Sequence, residues 1–236
     1  MLGKYFQGSN AQAKTPALQE NSNVVELWTV PLDTPLDTPL DRPLHTPLDR
    51  PLDTPQTGLL SGDEAARAAR FRSAKDRLYW TNARLALRSI LAGYTGDAPE
   101  SLRFVCNANG KPSLDPEAGI EFNLSHAGDF ALIGVSRSGP VGVDIERIRT
   151  DVDIAVLLRR LGETDLPEAM AELYHRWTRR EARSKAVGGQ LFVAPPPGIE
   201  AIDVPAPDGY AASVAALRGP ISVAPRRYGL ADTNRI

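Results

Sequence analysis

One stretch, from Phe122 to Arg147, constrains the fold of this chain more than any other. It reads FNLSHAGDFALIGVSRSGPVGVDIER, with runs of branched and aromatic residues that favour strands and turn-forming residues between them. We predict strands over residues 120–124, 130–135 and 141–145. Strands this short and this close together place a sheet at the centre of the fold.

Asp144 and Glu146 lie two positions apart at the end of this stretch. Side chains at i and i+2 leave the same face of a strand, so the two carboxylates project together while Val143 and Ile145 point the other way. A Mg²⁺ ion usually takes one or two protein carboxylates and completes its shell with water and substrate phosphate. The pair therefore predicts phosphate chemistry.

Two further polar positions lie at predicted turns. Ser125 and His126 follow a strand, where the imidazole can either reach a ligand or cap a backbone carbonyl, and both alternatives stay open. Lys111 lies between Gly110 and Pro112, which restrict the backbone on either side of it. By itself, this lysine is a weak signal for a phosphate contact.

A basic segment predicts two consecutive helices. Ser61 is a suitable N-cap for the first, a break is expected near Arg72–Ser73, and Gly96 ends the second. Residues 67–88 carry seven basic side chains and one acidic one. Such a run is typical of a solvated helix face, although its positive potential also attracts phosphates.

A later helix is predicted over Leu173–Gly189, after a poorly defined helical region at 150–172. Trp177, Glu181 and Lys185 are four residues apart and so share one face. Glu181 and Lys185 are either a solvent-exposed ion pair or part of a site, and the spacing alone does not distinguish these. Predicted strands at 199–204 and 210–217 follow.

The N-terminal part of the chain is interpreted as a tail and an insert around one strand. Residues 1–23 are predicted to be disordered and Val24–Val30 to form the strand. A PLDT-type tetrapeptide repeat then fills residues 31–55, and a proline at every fourth position disfavours both helix and central strand. We expect an extended surface insert without a functional role, and none for His45 within it.

The single cysteine, Cys106, cannot form an internal disulfide, and the apolar run around it predicts a packing role. We find no apolar segment of signal-peptide or membrane-spanning length, so a cytoplasmic location is expected. At 236 residues the chain accommodates one large domain or two small ones.

Two motifs, GVDIER and WTRREARSK, resemble the signature motifs of the 4'-phosphopantetheinyl transferases of the surfactin-synthetase type. Three more blocks are similar to that family and occur in the same order: RFRSAKDR, GKP and FNLSHAGDF. The resemblance covers roughly residues 24–217. It implies an α+β fold of two similar halves in a pseudo-twofold arrangement, each a long helix packed on a small, mainly antiparallel sheet. The expected units are a first half at 24–139, a second half at 140–219 and a loose tail at 220–236.

The same resemblance implies a reaction. The 4'-phosphopantetheine group of coenzyme A would pass to a serine of an apo acyl-, aryl- or peptidyl-carrier protein of a fatty-acid, polyketide or nonribosomal-peptide synthase. Mg²⁺ would assist, and adenosine 3',5'-bisphosphate would leave. We expect a monomer, because both halves lie in one chain, and no nucleic-acid or membrane partner.

The resemblance also assigns site residues. The Mg²⁺ ligands are Asp144, Glu146 and Glu181. The catalytic residues are Glu181, as a base acting directly or through water, and Lys185, as a contact to the transferred phosphate. The coenzyme A contacts are Lys111, Ser125 and His126. Tyr79 stands where the family often has a coenzyme A-binding arginine, so Arg77 or Arg84 is expected to replace it.

Two other functions stay open from the sequence. A coenzyme A-binding homologue without turnover is one, because Tyr79 and Arg180 depart from the family pattern. A metal-dependent phosphohydrolase built on Asp144, Glu146 and His126 is the other. The choice of carrier, and of Mg²⁺ over Mn²⁺, is not determined by the sequence.

Overall fold

The computed structural model describes residues 23–33, 56–114, 118–189, 193, 196–217 and 219–228. The helices are α1 Gly62–Ala69, α2 Ala74–Thr95, α3 Ile154–Arg160 and α4 Met170–Ala186, with 3₁₀ turns at Gln56–Leu59 and Pro99–Ser101. The strands are β1 Asn23–Pro31, β2 Val105–Cys106, β3 Pro112–Ser113, β4 Glu121–Ala127, β5 Phe130–Ser136, β6 Val141–Arg147, β7 Ile199–Asp203, β8 Tyr210–Leu217 and β9 Ile221–Arg227. The predictions for residues 1–22 and for the repeat beyond Asp33 lie outside the described residues.

The first sheet has the strand order β4-β5-β1-β9. β5 runs antiparallel to both of its neighbours, whereas β1 and β9 are parallel. Alternate residues of β5 face opposite sides: Ile133 packs with α2 and Leu132 packs against the second sheet. Because both faces are covered, β5 reads as a nearly continuous apolar run.

The second sheet is antiparallel, with the order β6-β8-β7, and α4 packs across it. The helix approaches β6 at Gly142, where an ideal Cβ would lie 2.0 Å from the Ala182 carbonyl oxygen. Small residues line this contact, including Ala186 on the helix and Ala215 on β8. The close approach brings the backbones of α4 and β6 together beside the predicted carboxylates.

The two N-terminal helices have the predicted caps. Ser61 and Glu64 form a reciprocal capping box on α1, and Gly96 ends α2 in a left-handed conformation with φ 82°. The predicted break lies between Ala69 and Ala74. Mixed α+β content and mainly antiparallel sheets are therefore confirmed, while the pseudo-twofold relation of the halves stays a prediction.

Four local predictions are wrong. The start of the insert predicted at residues 31–55 is not solvated: Pro31 is the last residue of β1, paired with Phe130, and Leu32 is buried in the core. Ile221–Arg227, expected in a loose tail, forms β9 at the edge of the first sheet. Cys106, expected to pack, is exposed, because β2 and β3 form only a two-residue ribbon outside the core. Ser125 and His126, expected at a turn, lie inside β4, and the chain reverses at Gly128–Asp129.

No helix among the described residues is both long enough and apolar enough to cross a bilayer.

Candidate active site

Strand β6 presents Asp144 and Glu146 on the face opposite to Val143 and Ile145, as its alternation predicts. Asp144 is 1% exposed. On the side of β6 away from β8, the Val143 N–H donates to Asn123 Oδ1 on β4 at 2.9 Å. This side-chain bridge joins the edges of the two sheets.

The bridge brings Ser125, two residues along β4 from Asn123, to the buried carboxylate. Its hydroxyl donates to Asp144 Oδ1 at 2.9 Å. The Lys185 ammonium of α4 donates to the same oxygen at 2.5 Å and to Ser125 Oγ at 3.0 Å. Side chains from three elements, β4, β6 and α4, thus meet at one carboxylate.

Glu181 lies one helical turn before Lys185 and is 9% exposed. Because Glu181 is buried and the Lys185 ammonium pairs with Asp144, these residues are not the solvent-exposed ion pair that the spacing also allowed. Trp177, one more turn back, hydrogen-bonds to the Glu146 carboxylate. The whole predicted face of α4 therefore points to β6.

The three carboxylates disfavour one another's charge. Burial raises the pKa of Asp144, against the opposing effect of Lys185. Burial, and then the charge of Asp144, raises the pKa of Glu146 and raises that of Glu181 to about 7. The pKa values stay raised although Lys185 acts on all three acids and Arg180 acts on Glu181, so the cluster favours a further cation.

The oxygen donors of this cluster are of the type that a divalent metal ion prefers. Two buried oxygens among the described residues, Asp144 Oδ2 and Glu181 Oε1, have no hydrogen-bond partner, and carboxylate oxygens are the ligands that hard cations prefer. In their present positions, however, no three His, Cys, Asp or Glu side chains of the described residues are arranged to hold a metal. The donor types fit Mg²⁺, while a closed ligand set would need side-chain movement.

His126 alternates with Ser125 along β4 and is exposed. Its pKa is lowered, first because nearby protein groups reduce the hydration of the imidazole, part of which stays exposed, and second because of the charge of Lys185. The exposed imidazole near Lys185 leaves both interpretations of His126, ligand contact and backbone cap, as predictions.

The remaining predicted contacts lie elsewhere. The Lys111 ammonium donates to the carbonyl oxygens of Ala186 at 2.6 Å and Val141 at 3.1 Å. Arg84 pairs with Glu64, which also binds the buried Arg88.

On the exposed side of α2, Arg77 is solvent-accessible. The Tyr79 hydroxyl donates to Asp129 Oδ1 at 2.6 Å in the β4–β5 turn. Arg180 binds Glu163, before α4. The structure thus brings Ser125 of β4 together with Asp144 of β6 and Lys185 of α4. Arg84 and Tyr79 instead bind the side chains of Glu64 and Asp129.

Sequence reasoning missed the roles of Asn123 and Trp177. The signal for Trp177 was present, because it shares a helical face with Glu181. Asn123 carried no such signal, since its partner lies 20 residues away across a sheet boundary.

Known proteins to which this chain is similar in sequence have the same kind of name. A family model described as 4'-phosphopantetheinyl transferase, N-terminal, matches residues 54–138. The chain is 34% identical over 187 residues to the 4'-phosphopantetheinyl transferase HetI of Nostoc sp.. The aligned region covers 74% of this chain and 73% of HetI. It is 37% identical over 117 residues to AcpT of Escherichia coli O157:H7, covering 46% of this chain and 58% of AcpT. It is 28% identical over 137 residues to psf-1 of Bacillus pumilus, covering 55% of this chain and 58% of psf-1. AcpT and psf-1 also bear the name 4'-phosphopantetheinyl transferase.

Proposed function

Because the chain belongs to the 4'-phosphopantetheinyl transferase superfamily, we propose that it transfers 4'-phosphopantetheine from coenzyme A to a serine of an apo carrier protein. The observation that carries the proposal is the convergence of Ser125, Asp144 and Lys185 beside the buried Glu181. Carboxylates with perturbed pKa values cluster at functional sites, and Mg²⁺ is usually bound by one or two carboxylates together with substrate phosphates.

In the proposed reaction, the serine hydroxyl oxygen of the carrier attacks the phosphorus that carries the pantetheine arm. A new P–O bond forms, the pyrophosphate P–O bond breaks, and adenosine 3',5'-bisphosphate leaves with the electron pair. Phosphoryl transfer of this kind depends mainly on alignment and on charge stabilisation.

Glu181 is the proposed base. It would take the serine proton directly or through one water, from a buried position on α4 one helical turn before Lys185. Lys185 is the proposed contact to the transferred phosphate. An ammonium has three protons, and two are donated to Asp144 and Ser125, so one is left for a phosphate oxygen.

Asp144, Glu146 and Glu181 are the proposed Mg²⁺ ligands. When bound, the metal would neutralise charge on the pyrophosphate. The unpartnered oxygens of Asp144 and Glu181 support this assignment.

Ser125 and His126 are the proposed contacts to coenzyme A. Both lie on β4: the Ser125 hydroxyl binds Asp144, and His126 is close enough to Lys185 for its charge to lower the pKa of the imidazole. A contribution of Arg77 is also proposed, because its side chain is exposed on the basic face of α2. We propose carrier proteins of fatty-acid, polyketide or nonribosomal-peptide synthases as partners, and a monomer as the active form.

Mass spectrometry tests the function directly. The protein is incubated with coenzyme A, Mg²⁺ and several apo carrier proteins, and one phosphopantetheine adduct per carrier is expected. Chelation of the metal should stop the transfer, and added Mg²⁺ or Mn²⁺ should restore it. Binding of coenzyme A without an adduct on any carrier would instead identify an inactive homologue. Release of phosphate or adenosine bisphosphate without a carrier would identify a hydrolase.

A further inference from the structure

The turn from Asn107 to Lys111 lies against the C-terminal end of α4. Asn109 Nδ2 donates to the Gly188 carbonyl oxygen at 2.7 Å, and Asn107 Nδ2 approaches the same oxygen at 3.4 Å. Lys111 Nζ donates to the Ala186 carbonyl oxygen at 2.6 Å. Carbonyls in the last turn of a helix have no partner within the helix, so Lys111 caps Ala186, the last residue of α4. Asn109 binds Gly188, two residues beyond the helix, and the two donors together form a cap supplied from a distant part of the chain.

The turn is itself held in one shape. Asn107 Oδ1 accepts hydrogen bonds from the backbone N–H groups of Asn109 and Lys111, both at 2.9 Å. Gly110 adopts φ 85°, which residues with a Cβ rarely adopt. At the helix end, an ideal Cβ on Gly188 would lie 2.2 Å from Asn107 Nδ2, so only glycine allows this contact.

Lys111 also joins the helix to the sheet. Its ammonium donates to the carbonyl oxygen of Val141, the first residue of β6, at 3.1 Å. One half-buried cation thus binds the end of the helix that carries Lys185 and the beginning of the strand that carries Asp144. Burial lowers the pKa of Lys111, so the two carbonyl contacts replace water that the ammonium has lost.

We propose that Lys111 is a positioning residue, which caps α4 together with Asn109 and thereby fixes α4 against β6. Ala186 directly follows Lys185, and Val141 lies three residues before Asp144. Movement of either end therefore changes the distance between the Lys185 ammonium and the Asp144 carboxylate. This role differs from the coenzyme A contact that the family resemblance implies for Lys111. Its consequence for turnover rests on the proposed function, whereas the cap does not.

Hydrogen exchange of the ligand-free protein tests the cap. In Lys111→Met and in Asn109→Ala, peptides covering residues 181–189 should exchange at least about tenfold faster, while peptides of α2 keep their rates. Lys75→Met is the matched control, because it removes a lysine charge at an exposed position and should leave residues 181–189 unchanged. Unchanged exchange in both test variants would overturn the cap, whether or not the protein proves to be a transferase.

Kinetics test the positioning role. Lys111→Met should lower kcat about tenfold or more and change the KM for coenzyme A by less than about threefold, since a small displacement costs rate rather than affinity. Asn109→Ala, which keeps the lysine, should show the same pattern in weaker form, and Lys111→Arg should recover part of kcat. An increase of tenfold or more in KM at unchanged kcat would overturn the proposal and identify Lys111 as a direct coenzyme A contact.

Discussion

Adding one methyl group at Gly142 should separate α4 from β6 and disable the site. An ideal Cβ there would lie 2.0 Å from the Ala182 carbonyl oxygen and 2.3 Å from the Ala186 nitrogen, both backbone atoms. Real Cβ contacts are essentially never under 3.0 Å, so Gly142→Ala must move helix and strand apart by roughly 1 Å. Lys185 and Asp144, now 2.5 Å apart, lie on the two separating elements.

The expected cost has two parts. Overpacking a well-packed contact destabilises by about 1–3 kcal/mol, which leaves a domain of ordinary stability folded. A displacement of about 1 Å in the catalytic groups lowers kcat by about 100-fold. Urea unfolding followed by circular dichroism measures the first effect, and single-turnover transfer of phosphopantetheine measures the second.

Gly93→Ala is the matched control. Gly93 is exposed in α2, with nothing within 4 Å of an ideal Cβ. The same substitution should therefore stabilise the protein by about 0.4–1 kcal/mol and leave kcat unchanged. If Gly142→Ala retained wild-type stability and turnover, the glycine would not set the distance between helix and strand. If stability alone were lost, that distance would not control the site.

Three further predictions concern single side chains. Glu181→Gln should lower the rate of transfer at least about 100-fold without changing the circular dichroism spectrum. The control variant Glu172→Gln, in the first turn of the same helix, should keep its activity. A near-normal rate for Glu181→Gln would refute the proposed role of Glu181 as base. Burial by itself raises the pKa of Glu64, but hydrogen bonds from Arg88, the Ser61 N–H and Arg84 outweigh it, so the pKa is lowered below 4.5. The stability that Glu64 contributes is therefore present above pH 4.5 and is lost as the pH falls through the lowered pKa of the folded state. Glu64→Gln should cost about 3–5 kcal/mol at pH 7 and flatten this acid dependence in urea titrations. An unaltered dependence of stability on pH would contradict this. Tyr79→Phe should keep kcat/KM for coenzyme A within about threefold, because Asp129 retains the hydrogen bond from its backbone N–H to the Tyr210 hydroxyl; a larger loss in steady-state assays would place Tyr79 in the coenzyme A site.

The parts of the fold that could be predicted are those coded by neighbouring residues. The caps at Ser61 and Gly96 follow from local hydrogen bonding and backbone freedom. The strand that carries Asp144 and Glu146 follows from its period of two, and the face of α4 that contains Glu181 follows from its period of four. Each of these needs only a few consecutive residues to determine it.

The errors occur where the partner is distant or the segment is too short. β9 contains Pro225, which weakens any strand prediction, but the proline lies in an edge strand, where a missing donor is tolerated. Cys106 has apolar neighbours in the sequence, yet Val105 beside it is 56% exposed. An apolar run this short therefore does not predict that its residues are buried. The contact of Lys111 with Ala186 spans 75 residues and leaves no local pattern in the sequence.

Two buried sites show how the proposed functional carboxylates differ from a carboxylate in a structural ion pair. Glu64 has arginine partners and a lowered pKa, so its burial stabilises the folded state. Asp144, Glu146 and Glu181 keep raised pKa values although Lys185 is close to all three and Arg180 is close to Glu181, so their burial as charged groups opposes folding. Replacing such acids by apolar residues of similar volume is often neutral or stabilising, so stability alone does not account for them. The unfavourable cluster therefore supports the proposal that a cation binds here together with substrate phosphate groups.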